Sequence, residues 1–150
     1  MYNQSVIAVI ENEIFKILKR NKSRHSVIIA LFKGRKLPKY CVLMPRNPSF
    51  KINTYLNNNL SKIYFLSQKK NSSIIDGAIL IQLDYNTTIL RGFSYRLFPP
   101  PSKTPRLENK GSGYNSSLDF SVVRRVICVY FINKKAVIKF VNGKEKIIFK

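Results

Sequence analysis

Cationic and hydrogen-bonding side chains gather among prolines at Ser102-Lys103-Thr104-Pro105-Arg106, with Lys110 just beyond. Three cations and two hydroxyls among prolines suit a multiply charged anion, because proline limits the entropy lost when the segment orders on a partner. The competing reading is a flexible, soluble loop. A second group, Asn133-Lys134-Lys135, follows an apolar run and reads as a basic turn. Other chemistries lack parts. Seven acids are scattered and the single histidine, His25, has no acid near it in sequence, so neither a triad nor a paired-carboxylate site is indicated. Cys41 and Cys128 have no CxxC neighbour, which leaves zinc unsupported. Gly111-Ser112-Gly113 follows no strand and opens no phosphate-loop pattern. We expect no catalysis, no metal, no cofactor and no small-molecule substrate.

Charge points the same way. The 150 residues carry 27 Lys and Arg against 7 Asp and Glu, a net +20. That excess repels itself in a compact chain and favours a polyanionic partner. A hydrophobic content of 45% excludes wholesale disorder. The shorter runs Lys33-Gly34-Arg35-Lys36 and Lys69-Lys70 read as solvated faces. Arg124-Arg125 interrupts an apolar stretch, so at least one of the pair must face out or find an anion. Ten Phe and eight Tyr invite base stacking. Most lie in apolar strand patterns (Phe65, Tyr85, Tyr130, Phe131, Phe140), which favours the core. Tyr114, beside Gly113, is the exception.

The elements that must position these groups can be read from periodicity. Ile7, Ile10, Ile14, Ile17 and Leu18 repeat with helical spacing over 5–19, with glutamates early and cations late. Apolar runs at 26–32 and 40–44 predict strands, and a second helix should run from Ser49 to about Leu60. A three-stranded meander is expected at 63–66, 78–85 and 88–97. The Pro-, Gly- and Ser-rich stretch 99–116 marks a boundary, so the chain divides into an N-terminal α/β lobe (1–98), a basic linker or loop (99–116) and a C-terminal β-rich lobe (117–150). The last lobe holds a short amphipathic piece at 117–125 and strands at 126–132, 136–141 and 145–149, with Asn142-Gly143 as a hairpin turn. The expected class is α+β, in two small lobes.

The order of these elements, with local matches, resembles small-subunit ribosomal protein eight, the universal S-eight family. Val42-Leu43-Met44-Pro45 followed by Ser49-Phe50-Lys51 resembles its strand, proline and second helix. Leu83-Asp84-Tyr85, Leu90-Arg91-Gly92 and Arg96-Leu97-Phe98-Pro99-Pro100 follow its later order, as does Val129-Tyr130-Phe131 running into Ile132-Asn133-Lys134-Lys135-Ala136-Val137-Ile138. The family's rRNA-binding serines and threonine are here Ile132, Asn133 and Lys134, and its glycine is Ala136. The resemblance implies an rRNA-binding protein. It brings Lys51, Arg96, Asn133, Lys134 and Lys135 to the RNA, joining Ser102, Lys103, Thr104, Arg106 and Lys110.

The resulting expectation is a structural rRNA-binding protein of a mitochondrial small ribosomal subunit, with neighbouring ribosomal proteins as partners. Eighteen Lys, 14 Asn and 18 Ile suggest an A/T-rich genome such as an organelle's. Met1 to Ile10 lack Arg and Lys and do not resemble a targeting peptide, which suits synthesis inside the organelle. Two isolated cysteines suit a reducing compartment. No apolar run reaches bilayer length, so membrane insertion is not expected. The alternatives are a free single-strand nucleic-acid-binding protein, which needs aromatics exposed on a sheet, and a basic accessory subunit of a membrane-associated organellar complex. The uncompensated charge carries one consequence. At low salt the isolated chain should aggregate or remain partly disordered, and light scattering with circular dichroism across a salt series checks this.

Overall fold

The computed structural model describes residues 4–20, 25–44, 54–56, 60–67, 77–103 and 110–150. Along the chain run α1 (Gln4–Arg20), β1 (Val27–Lys33), β2 (Cys41–Leu43), β3 (Thr54–Tyr55), α2 (Leu60–Ser67), β4 (Ala78–Asp84), β5 (Thr87–Leu97), α3 (Ser112–Phe120), β6 (Val126–Ile132), β7 (Val137–Val141) and β8 (Lys144–Phe149). The class is α+β. All the described strands join one mixed sheet in the order β2-β5-β4-β1-β6-β7-β8, with β3 also on β5. β1 runs parallel to β4 and antiparallel to β6, so Ile29 lies between Ile79 and Tyr130.

Strand β1 is apolar at nearly every position because both of its faces are covered. Val27, Ile29 and Leu31 turn to a core shared with Ile10 and Ile14 of α1 and Leu60 and Tyr64 of α2. Ala30 and Phe32 turn to the opposite core, closed by Tyr114, Leu118 and Phe120 from α3. Charge is used sparingly inside. Glu11 of α1 accepts from the Tyr130 hydroxyl at 2.8 Å and from Lys139 Nζ at 2.5 Å, tying the first helix to β6 and β7. On the other face Tyr114 donates to Glu145 at 2.6 Å, fixing α3 over β8.

Three expectations need correction. The segment 63–66 belongs to α2 and not to a meander strand: a short apolar run has no decisive period, and Leu60 and Tyr64, one helical turn apart, both bury against the sheet. Much of the helix expected over 49–60 lies outside the described residues, while Thr54–Tyr55 is strand. The third correction concerns the boundary. α3 begins at Ser112, inside the stretch read as linker. Gly113 is there because a Cβ would come 2.8 Å from Phe131 Cε2, so only glycine lets the helix sit this close to the sheet. The segments either side of 99–116 are not separate sheets, since β1 and β6 pair along their length.

Burial pushes the Tyr130 and Tyr114 hydroxyls up from their ordinary range, with Glu145 reinforcing the effect at Tyr114, and raises Cys128 to about 11. Each of these acids holds its proton more tightly folded than unfolded. Stability is therefore complete below their unfolded-state values, about 8.5 for Cys and 10 for Tyr, and falls as pH rises through them. The urea midpoint should drop between about pH 8 and 10, and less steeply in Cys128→Ala, as a pH series of unfolding curves would show.

Candidate functional site

The β6–β7 turn shows how the sequence builds a basic projection. Asn133 Oδ1 accepts the backbone N–H groups of Lys135 and Ala136, each at 2.8 Å, and its own N–H reaches the Ala136 carbonyl at 3.1 Å. The Asn133 side-chain oxygen therefore closes the turn, as asparagine commonly does. Lys134 and Lys135 are exposed at its tip. The N-terminus of α3 stands at this same end of the sheet, since Gly113 lies against Phe131 near the end of β6. Exposed Lys110 holds its ammonium 5.4 Å from the Tyr114 ring centroid. Lys110 and the Lys134-Lys135 pair thus lie toward the same end of the sheet.

Other sequence-selected residues are dispersed. The Ser102 N–H donates to Asp119 Oδ1 at 2.9 Å near the far end of α3, and Lys103 beside it is exposed. Arg96 is exposed on β5, opposite Val42 at the β2 edge. Thr104, Arg106 and Lys51 lie outside the described residues. Tyr114, singled out for stacking, is 3% exposed, its ring set edge-on to Phe140 at 5.0 Å. It is a core residue.

A second cationic region was legible in the sequence only as separate pieces, the solvated run 33–36 and the Arg124-Arg125 pair. Arg125 donates to the Lys36 and Leu37 carbonyls at 2.8 Å each, and Arg91 donates to the Arg35 carbonyl at 2.8 Å and to Gln82. Two guanidiniums from β5 and the approach to β6 thereby pin the loop leaving β1. Lys33, Arg35, Lys36 and Arg124 are left exposed around it. These residues come from 33–36 and 124, and only the β1–β6 pairing unites them. No local pattern could have shown it.

Backbone strain concentrates where β4 meets β5. Gly77 has φ +91, and a Cβ on it would come 2.7 Å from the Ser94 carbonyl carbon. Ser94 itself has φ +60 and is buried, and the β4–β5 register shifts on either side of Leu80. Such strain, held by surrounding structure, is characteristic of functional positions. Among the described residues no three His, Cys, Asp or Glu are grouped to hold a metal ion, and no helix is long and apolar enough to cross a membrane.

No family model matches the chain, and neither does any curated protein. Solved structures do. A doubly substituted DacA from Staphylococcus aureus is similar with a TM-score of 0.59 and 16% identity, over 98% of this chain and 88% of that one. A hypothetical membrane-spanning protein from Bacillus cereus is similar with a TM-score of 0.61 and 15% identity, over 94% of this chain and 62% of the other. At such identities the likeness is one of fold.

The turn geometry makes a separable test. Asn133→Ala removes two hydrogen bonds and should cost about 1–2 kcal/mol in stability, read from denaturant unfolding. It should leave the salt dependence of any anion binding unchanged, because no charge is lost.

Proposed function

We propose that this chain binds structured RNA as a non-enzymatic protein, and that its setting is the small ribosomal subunit of a mitochondrion, beside other ribosomal proteins. The observation that carries the RNA reading is how charge is distributed. Glu11, Glu145 and Asp119 are spent on internal contacts, whereas Lys110, Lys134, Lys135 and the cations around the β1 exit face outward. Lysine and arginine so placed neutralise phosphates and release condensed counterions. The major groove of A-form RNA is too narrow for side chains to read, so recognition would rest on backbone and shape. The ribosomal setting is supported by the ordered motif resemblance in the sequence.

The fold likeness favours a second reading. The likeness spans 98% of this chain and 88% of DacA, and the second reading is an activity shared with that protein. Assaying the purified chain beside DacA, in DacA's own reaction, separates the two. Turnover would support the second reading, and RNA binding without turnover the first. For the first, Lys134→Gln with Lys135→Gln should weaken binding to a folded RNA and reduce the magnitude of the log–log salt slope by about one to two units. An unchanged slope removes this turn from the interface.

A further inference from the structure

The turn between β4 and β5 carries a side chain that packing does not explain. Tyr85 stands at its tip, 87% exposed, with φ +36. Positive φ in a tight hairpin turn favours Asn, Asp or Gly, and a bulky residue there is an outlier. An aromatic ring in water at a strained position gains nothing for the fold. Cations share its end of the sheet. β1 and β4 are parallel and end together, Lys33 in register with Leu83, so the tip of the β4–β5 turn adjoins the loop leaving β1. The Lys33 N–H donates to the Arg125 carbonyl at 2.9 Å, which adds the approach to β6 to the same rim. Exposed Lys33, Arg35, Lys36 and Arg124 thus share this end of the sheet with Tyr85, while the acids on its other side are Asp84 and Glu13, the latter lining a pocket with Asn86 and Thr88.

We infer that this rim is a second RNA-contacting surface, on which Tyr85 stacks against an unpaired base while the four cations hold the adjoining phosphates. The inference rests on the RNA-binding reading and adds what that reading lacks, a preference for single-stranded or looped nucleotides. Stacking on one aromatic side chain contributes about 1–3 kcal/mol per base and tolerates any base. A membrane surface fits less well. The residues immediately beside the ring, Asp84, Asn86 and Thr87, are polar and exposed.

The test uses the full chain and a fluorescein-labelled single-stranded RNA dodecamer, with a duplex RNA and phosphatidylserine vesicles as separate arms. Tyr85→Asn suits the backbone of the turn and should leave the unfolding midpoint unchanged or higher. It should weaken single-strand binding by about 5- to 150-fold while keeping the salt slope, because no charge changes. Lys33→Gln, Arg35→Gln and Lys36→Gln together should lower the magnitude of that slope by about two, at about 0.7 per phosphate contact on a single strand. Equal affinity of Tyr85→Asn and the parent for the dodecamer, with RNA still bound, overturns this inference and spares the RNA reading. An equal loss on duplex RNA overturns stacking. Vesicle binding that depends on Tyr85, without an effect on RNA, reassigns the rim to a lipid surface. Failure of the parent chain to bind any RNA overturns both readings together.

Discussion

Everything else in the molecule hangs on strand β1. It pairs with β4 on one side and β6 on the other, and it is buried on both faces. No neighbouring segment could supply those partners, because a parallel pair needs a long crossover and β6 lies nearly a hundred residues away. Once β1 is placed, α1 and α2 must cover one face and α3 the other. The pairing also sets which cations meet, since Lys33 to Lys36 and Arg124 adjoin only through it.

A chain with +20 net charge must choose where to spend its few acids. Glu11, Glu145 and Asp119 each tie a helix or loop to another element, through Tyr130 and Lys139, Tyr114, and the Ser102 N–H. Glu13 pairs with Lys16 within α1. Glu11, Glu145 and Asp119, used this way, leave much of the surface charge unopposed. The arginines nearest the rim follow the same economy in reverse. Arg91 and Arg125 satisfy backbone carbonyls of the loop at 35–37. Structure and electrostatic field arise from one allocation of charge.

Local signals were strong where one face decides the pattern. The 3.6 spacing of Ile7, Ile10 and Ile14 places α1 within a residue, and Asn142-Gly143 turns β7 into β8 with both residues at positive φ. Signals failed where a residue answers to a distant neighbour. Gly113 reads as linker until Phe131 is beside it, and Asn133 reads as a ligand until its turn is closed. Tyr85 extends an apolar run and so reads as core, yet it falls one residue past β4, where the turn carries it outward. The candidate site was legible as an excess of cations. Its assembly was not, because the rim draws on residues far apart in the chain.

The two cationic regions are separated by the length of the strands that connect them. β6 starts beside the β1 exit at Val126 and ends at Ile132, next to the Lys134-Lys135 turn. Seven residues of strand span about 23 Å at about 3.3 Å each. The screening length at physiological ionic strength is about 8 Å, so charges at one end scarcely sense those at the other. On the proposed RNA-binding reading the two regions would act independently, and their effects on the salt slope should add when variants are combined. A compact anion could engage one end only. Occupying both requires a partner at least as long as the sheet is tall, and an extended or folded nucleic acid meets that requirement where a single small phosphate compound does not.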